Sequence, residues 1–175
     1  MDGSTPFELL KAVDESIKKH EFNDAMPEYQ DAWRGIHFRV GELSLLAPIL
    51  QVREVIHPTQ LLTLPRIKRW VKGVIQLRGE LVLINDLSDF LLNSPTDIDL
   101  KGRVLVIEHQ HEKVGFLVPH IYRILALKAP KVQSWENPLQ CDYLKQAFKV
   151  ENQLCPVLDF HKLLQDSKFL QTNII

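Results

Sequence analysis

Few side chains of this sequence are spaced for chemistry, and each set has a simpler explanation. His109 and His111 could place two imidazoles on one side of a strand end, as a metal site needs. No cysteine or third ligand lies close to them in sequence, and a polar hairpin turn explains them better. Cys141 and Cys155 lack C-x-x-C spacing, so we expect buried apolar side chains and not a disulfide. The sequence therefore predicts neither a metal nor a cofactor.

Catalytic motifs are missing from the sequence. It has no Walker loop, no G-x-G-x-x-G, no G-x-S-x-G and no H-E-x-x-H. We therefore expect a protein that is not an enzyme. A small hydrolase with a Ser/His/Asp triad drawn from distant residues stays open as an alternative, although nothing in the sequence singles one out.

One basic, aromatic-bearing cluster occupies residues 66–72 (R-I-K-R-W-V-K). Such a cluster on a small barrel suggests an OB-like module for single-stranded nucleic acid. The 21 Lys and Arg residues are balanced by 22 Asp and Glu residues, for a net charge of −1, and no further aromatics alternate with cations. We therefore expect this cluster to meet an acidic patch on a protein, and no nucleic acid.

The sequence also predicts where the protein resides. No uninterrupted apolar run approaches the ~18 residues of a membrane span. Residues 1–6 lack the basic and apolar regions of a signal peptide. We expect a cytosolic protein with no direct membrane insertion.

The most informative element is a hairpin followed by a helical turn. Apolar runs at 71–77 and 81–84 flank Arg78 and Gly79, and glycine supplies the positive φ of a tight turn. After Asp86 the apolar spacing changes to that of a helix. Further short strands are predicted at 33–40, 43–47, 52–56, 103–108, 114–118, 121–127, 143–150 and 154–158, with a terminal helix at 160–164.

These elements form an internal repeat. The apolar and aspartate pattern of 81–91 recurs 73 residues later at 154–164, and Val52-Arg53 is echoed by Tyr122-Arg123. Two small barrels in tandem are the simplest interpretation. Asp86 and Asp159 are best explained as helix N-caps and not as paired acids.

An N-terminal helix is predicted ahead of the strands. Thr5 and Glu8 can form a capping box, Pro6 suits the first helical position, and apolar residues recur on one face at Phe7, Leu10, Val13 and Ile17. We expect it to pack on its own barrel; a docking helix for a partner or a disordered arm are the alternatives.

The chain resembles the CheW-like domain family, the coupling modules of bacterial chemosensory systems. The resemblance spans roughly 33–164 and rests on V-R-E-V at 52–55, K-G-V-I-Q-L-R-G at 72–79 and Asp86-Leu87. The extension T-P-F-E-L-L at 5–10, Trp33-Arg34-Gly35-Ile36 and W-V-K-G at 70–73 are most similar to the PilI branch, which serves twitching motility. The second half departs from the family pattern, since Pro119-His120 and Glu151-Asn152 replace its usual residues.

The resemblance implies a mostly β fold of two SH3-like, five-stranded barrel subdomains, with an N-terminal helix and short helical turns. It divides the chain into a helical extension at 1–30, a two-lobe CheW-like domain at 33–164 and a C-terminal tail at 165–175. The lobes would be joined through connectors at 48–70 and 128–140.

The resemblance also implies a function. The protein would be a scaffold that couples a chemoreceptor's cytoplasmic tip to the regulatory domain of a CheA-type histidine kinase, at receptor arrays of the inner membrane. Type IV pili are the favoured output, and flagellar chemotaxis is the alternative.

Site residues follow from the same resemblance. The partner-binding candidates are Arg78, which we expect to reach Glu54 through its guanidinium, the possible groove residues Val52, Val55 and Ile75, and Lys72. Gly73 is expected to allow close backbone approach and Gly79 to form the turn.

Overall fold

The computed structural model describes residues 32–58, 60–97, 102–128 and 135–171. The helix predicted within 1–30 lies outside the described residues. Ten strands form two five-stranded sheets, which makes the described fold mostly β, as the sequence predicted. The strands are β1 (Trp33–Val40), β2 (Leu43–Pro48), β3 (Val52–Ile56), β4 (Val71–Leu77), β5 (Glu80–Asp86), β6 (Arg103–His109), β7 (Glu112–Val118), β8 (His120–Leu127), β9 (Leu144–Val150) and β10 (Gln153–Leu158).

Short helical segments lie between and after the strands. A 3₁₀ turn covers Ile49–Gln51, and the helices are α1 (Leu87–Leu92), α2 (Phe160–Leu163) and α3 (Ser167–Leu170). Helix α3 lies within the segment expected to be a tail. Asp166 caps it by accepting bonds from the backbone N–H groups of Lys168 and Phe169, and Phe169 is buried in the core. The fold therefore continues to Leu170.

The two sheets are interleaved along the chain and do not follow one another in tandem. Lobe 1 has the strand order β3-β6-β7-β5-β4, and lobe 2 has the order β8-β1-β2-β10-β9. Each half of the repeat gives its first hairpin to one lobe and its remaining strands to the other. Parallel pairing of β5 with β7, and of β2 with β10, joins the two halves inside each sheet.

This topology corrects the expected joins between the lobes. The chain crosses from lobe 2 to lobe 1 at the 3₁₀ turn, and back at Pro119 between β7 and β8. The 128–140 segment has β8 on one side and β9 on the other, and both belong to lobe 2. Apolar spacing cannot reveal this, because it marks which residues are buried and not which strands pair.

The main core is shared by both lobes. It gathers side chains from the β1–β2 and β6–β7 hairpins and from the helices, and its largest members are Phe38, Phe90, Phe116, Phe160 and Phe169. Smaller clusters lie within each lobe, around Ile75 and Val82 in lobe 1 and around Phe148 and Cys155 in lobe 2. The largest core cluster is therefore built by both lobes together.

Both cysteines are free thiols. Cys155 is fully buried, as the sequence predicted, whereas Cys141 is only partly buried. Among the described residues, no helix has both the length and the apolar character that a membrane crossing requires.

Candidate functional site: two charged rims

The turn between β4 and β5 presents Arg78 to solvent. Arg78 and Gly79 have φ angles of 51° and 89°, the double positive φ of a two-residue hairpin turn. The Arg78 side chain is 76% exposed, and its Nη2 donates to Oε2 of Glu54 at 3.0 Å. Since β3 and β4 stand at opposite ends of the strand order, this ion pair links the two ends of lobe 1.

The ion pair between Arg78 and Glu54 is not bidentate. A single guanidinium nitrogen contacts one carboxylate oxygen, and Glu54 is the more buried partner at 19% exposure. An exposed pair of this kind contributes under about 1 kcal/mol to stability. The ion pair therefore orients the Arg78 side chain and contributes little to the stability of the fold.

The two glycines of the motif have different surroundings. Gly73 has a φ of 139°, and a Cβ there would overlap the backbone carbonyl of Leu62. At this point the backbones of Leu62 and Val74 exchange two hydrogen bonds of 2.9 Å. Gly79 has open space around it and supplies only the turn conformation.

Two of the partner-binding candidates make contacts inside the fold. Ile75 is 3% exposed, because β4 turns Val71, Gly73 and Ile75 inward. Lys72 is 19% exposed, and its Nζ lies 3.2 Å from Oδ2 of the fully buried Asp86. Ile75 is thus a core residue, and Lys72 neutralises an internal carboxylate.

The remaining apolar candidates lie nearer the surface. Val55 is 42% exposed, whereas Val52 is partly buried and packs against the shared core. Val52 borders a groove of about 660 Å³ that begins at the 3₁₀ turn. Leu50, at the same groove, is 96% exposed. This groove also contains Arg53 and Glu108, whose side chains form an exposed ion pair of 3.6 Å.

Strand register shows that lobe 2 has a counterpart of the Glu54 position. On β3, Val52 lies opposite Ile107 and Glu54 opposite Val106, with Arg53 as the extra residue between them. On β8, Ile121 lies opposite Phe38 and Arg123 opposite His37, with Tyr122 as the extra residue. We align β1 with β6 by counting back from the hairpin turn that follows each strand. Phe38 is then equivalent to Ile107, and His37 to Val106. Arg123 is therefore the structural equivalent of Glu54.

The charges of the two lobes are reversed. Glu151 and Asn152 form the β9–β10 turn with φ angles of 48° and 67°, so Glu151 occupies the place of Arg78. Arg123 Nη2 donates to Oε1 of Glu151, as Arg78 does to Glu54. Lobe 1 thus carries its acid on the strand and its base on the turn, and lobe 2 the opposite.

Exposed apolar side chains accompany both pairs at equivalent positions. Val55 matches Ile124, which is 52% exposed, and Leu81 at 72% matches Leu154 at 40%. We call the two surfaces rim 1 and rim 2; rim 1 consists of Glu54, Val55, Arg78 and Leu81, and rim 2 of Arg123, Ile124, Glu151 and Leu154. The sequence pattern does not reveal rim 2, because aligning Val52-Arg53 with Tyr122-Arg123 is one residue out of register.

Comparison with known proteins agrees with this architecture. Residues 34–168 match the model of the CheW-like domain. The chain belongs to the CheW-like domain family. PilI of Pseudomonas aeruginosa is 32% identical over 178 residues, covering 99% of both chains. The chemotaxis protein CheW of Thermotoga maritima is 24% identical, over 82% of this chain and 92% of its own.

A solved structure shares the fold. The scaffolding protein TtCheW of Thermoanaerobacter tengcongensis aligns with a TM-score of 0.69 at 16% identity, over 78% of this chain and 90% of its own. The predicted fold class, two SH3-like five-stranded subdomains, is confirmed. The predicted family and its similarity to the PilI branch are also confirmed.

The two aspartates of the repeat act as helix caps in this CheW-like chain. Asp86 accepts bonds from the backbone N–H groups of Ser88 and Asp89, and from the N–H and hydroxyl of Thr96. Asp159 caps α2 by accepting from the N–H of Lys162, and also accepts from Gln51 Nε2. Each carboxylate therefore bonds to groups near its own helix, and the two do not form a pair of acids.

Part of the basic cluster makes contacts inside this CheW-like chain. Arg69 Nε lies 2.9 Å from both carboxylate oxygens of Asp89, which is 1% exposed. The Trp70 ring packs edge-on against Phe90, with Lys168 above it. A tryptophan packed in this way is not placed to stack on a base, which disfavours the nucleic-acid alternative.

Two arrangements of chemistry-bearing side chains were candidates for a reactive site. Among the described residues, no group of three or more His, Cys, Asp or Glu side chains could hold a metal ion. Ser44 Oγ lies 2.6 Å from His37 Nε2, like a nucleophile and its base. However, both residues are buried, and within the described part of the chain His37 Nδ1 has no hydrogen-bond partner that would orient the ring.

Proposed function

We propose that this protein is a non-enzymatic adaptor that couples the cytoplasmic tip of a chemoreceptor to the regulatory domain of a CheA-type histidine kinase. The assembly would form at receptor arrays on the cytoplasmic side of the inner membrane and control twitching by type IV pili. Support for the pilus output comes from the similarity to PilI, which extends over 99% of both chains, whereas the CheW relatives named above match less of this chain.

The observation that carries the proposal is the geometry of rim 1. Arg78 stands at a positive φ, where an L-residue costs about 1–2 kcal/mol relative to ordinary backbone. Its exposed ion pair returns less than about 1 kcal/mol. Since folding does not account for an arginine here, we assign Arg78 to contact with the kinase regulatory domain.

A second contact is proposed for the receptor. In the groove beside Val52, the exposed Leu50 can serve as an apolar anchor, and the Arg53–Glu108 ion pair lies next to it. An amphipathic helix can lay an apolar stripe on such a surface and its polar flanks on the charges. The rims and the groove are modest patches, so we expect micromolar affinities that become effective through repetition in an array.

The test measures binding of the kinase regulatory domain by calorimetry. We expect Arg78→Ala to weaken the affinity about tenfold or more, as truncation of an interfacial arginine does. Its free energy of unfolding should change by less than about 1 kcal/mol. Gln140→Ala is the matched control, because Gln140 is also exposed, also has a positive φ, of 48°, and lies outside both rims and the basic cluster. Equal affinity of wild type and Arg78→Ala would refute the assignment.

A charge swap tests whether binding needs arginine at position 78 itself or only an ion pair between positions 54 and 78. The double variant Glu54→Arg, Arg78→Glu gives rim 1 the polarity of rim 2 and can keep the pair. If Arg78 contacts the kinase, the swap binds as poorly as Arg78→Ala. In a Pseudomonas aeruginosa strain lacking PilI, wild type should restore twitching and both variants should fail.

A further inference from the structure

His37 lies where β8 departs from regular pairing with β1. His37 pairs with Arg123 and Phe38 with Ile121, so Tyr122 is an extra residue on β8. The Tyr122 ring stands over the imidazole, with 4.6 Å between the ring centroids. His37 itself is only 8% exposed. The bulge thus places an ionisable ring between the edge strand and the interior of lobe 2.

The imidazole is only partly satisfied. Its Nε2 lies 2.6 Å from Ser44 Oγ on β2 and 3.9 Å from Cys155 Sγ on β10. Its Nδ1 is buried and has no partner among the described residues. Neutral histidine can leave Nδ1 as a bare acceptor, whereas protonated histidine must bury an N–H donor with nothing to accept it. Protonation therefore conflicts with the surroundings.

Lobe 1 shows that the fold does not need a histidine at this position. Val106 is the structural equivalent of His37, and Val82 the equivalent of Cys155. Both valines are fully buried. An apolar side chain thus fills the same place in the related lobe, which makes the imidazole an addition particular to lobe 2.

Polar and titratable groups surround His37 on every strand packed against it. They are Arg39 on β1, Ser44 on β2, His120, Tyr122 and Arg123 on β8, Glu151 on the β9–β10 turn and Cys155 on β10. Burial is the main cause that lowers the pKa of His37 below its usual 6.5, and the positive charge of Arg123 adds to it. The negative charge of Glu151 acts in the opposite direction but does not reverse the shift.

We propose that His37 is an acid-sensitive latch, which holds β8 on lobe 2 while neutral and releases β8 when protonated. Arg123 and Ile124 of rim 2 are on β8, so release would take rim 2 apart and leave rim 1 in place. The proposal concerns the stability of lobe 2 and does not depend on the proposed function.

The sign of the effect follows from the lowered pKa. Between pH 6.5 and the lowered pKa, the open state binds the proton and the closed state does not, so stability falls as the pH falls. Above pH 6.5 the stabilisation is fully present. For one group, the opening equilibrium of β8 rises by up to tenfold per pH unit across that window.

The test measures amide hydrogen exchange of the full chain at pH 7.5 and 5.5, corrected for intrinsic rates. We expect β8 of wild type to lose protection at pH 5.5 relative to β6 of lobe 1. His37→Val, which copies Val106, should abolish the difference, while His120→Gln, next to the same tyrosine, should keep it. Equal loss of β8 protection in wild type and His37→Val would overturn the proposal.

A second measurement needs no variant to fold. The NMR titration of His37 in wild type should show a pKa below 6.5, with the β8 amide signals shifting over the same pH range. A His37 pKa of 6.5 or above, or β8 signals that do not follow the titration, would overturn the latch.

Discussion

Arg78 and Glu151 hold charges at turn positions where glycine or asparagine would be less strained. The sequence could predict the partner of Arg78, because the V-R-E-V strand of the family resemblance contains Glu54. It could not predict the partner of Glu151, since the repeat pattern aligns Arg53 with Arg123, one residue out of the register that equates Arg123 with Glu54. Single residues within continuous motifs are therefore predictable from sequence, while the residue-by-residue equivalence of two degenerate repeats is not.

The same limit applies to Lys72 and Ile75. Strict alternation on β4 would have turned Ile75 inward, but its place in the family motif suggested a groove residue. Lys72 meets Asp86 fourteen residues later only because β4 and β5 pair side by side. Its use as an internal counter-ion depends on tertiary packing.

Asp86 and Asp159 have the same capping role but different surroundings, which makes a matched test. Asp86 is fully buried with four hydrogen bonds and Lys72, whereas the Asp159 side chain is 31% exposed. We expect Asp86→Ala to lower the free energy of unfolding by about 3 kcal/mol or more, because Lys72 loses its partner. Asp159→Ala should cost only about 1 kcal/mol. Urea unfolding measures both, and equal costs would contradict this account of the Asp86 network.

At the scale of elements, two-residue hairpins dominate the structure. Arg78-Gly79, Gln110-His111 and Glu151-Asn152 all have two consecutive positive φ angles. The sequence predicted the first from its glycine, and took His109 and His111 as part of a polar hairpin turn and not a metal site. Turns without glycine give a weaker signal, since only local context separates them from ordinary polar strand ends.

The glycines of the β4–β5 hairpin should differ in what they tolerate. Gly73→Ala must displace the Leu62 backbone and hold alanine at a φ of 139°, so we expect a loss of about 3 kcal/mol or more in unfolding free energy. Gly79→Asn should cost under about 1 kcal/mol, because asparagine tolerates positive φ and Asn152 already fills that place in lobe 2. Thermal unfolding of the two variants is the measurement. A Gly79→Asn variant less stable than Gly73→Ala would contradict the assignment of close approach to Gly73.

For the whole molecule, interleaving is what the sequence could not show. The repeat and its strand count were readable, because periodic apolar residues mark each strand. Which hairpin joins which sheet depends on the parallel pairings β5–β7 and β2–β10, and no local pattern encodes a pairing between distant strands. Each lobe is therefore built from both halves of the chain.

Interleaving and the shared core predict that the two lobes unfold together. Trp33 packs on Phe148 in lobe 2, and Trp70 packs on Phe90 beside lobe 1, so each can report on its own surroundings. The test uses variants whose only tryptophan is Trp33 or Trp70, so Trp135 is replaced in both. We expect their fluorescence transitions in urea at pH 7.5 to have the same midpoint once the difference in stability between the two variants, measured by circular dichroism, is subtracted. The pH is chosen so that His37 is neutral. Coincident fluorescence and dichroism within each variant is the control. A Trp33 signal that changes before the Trp70 signal, with an intermediate seen by dichroism, would show that lobe 2 unfolds separately and that the shared core does not couple the lobes.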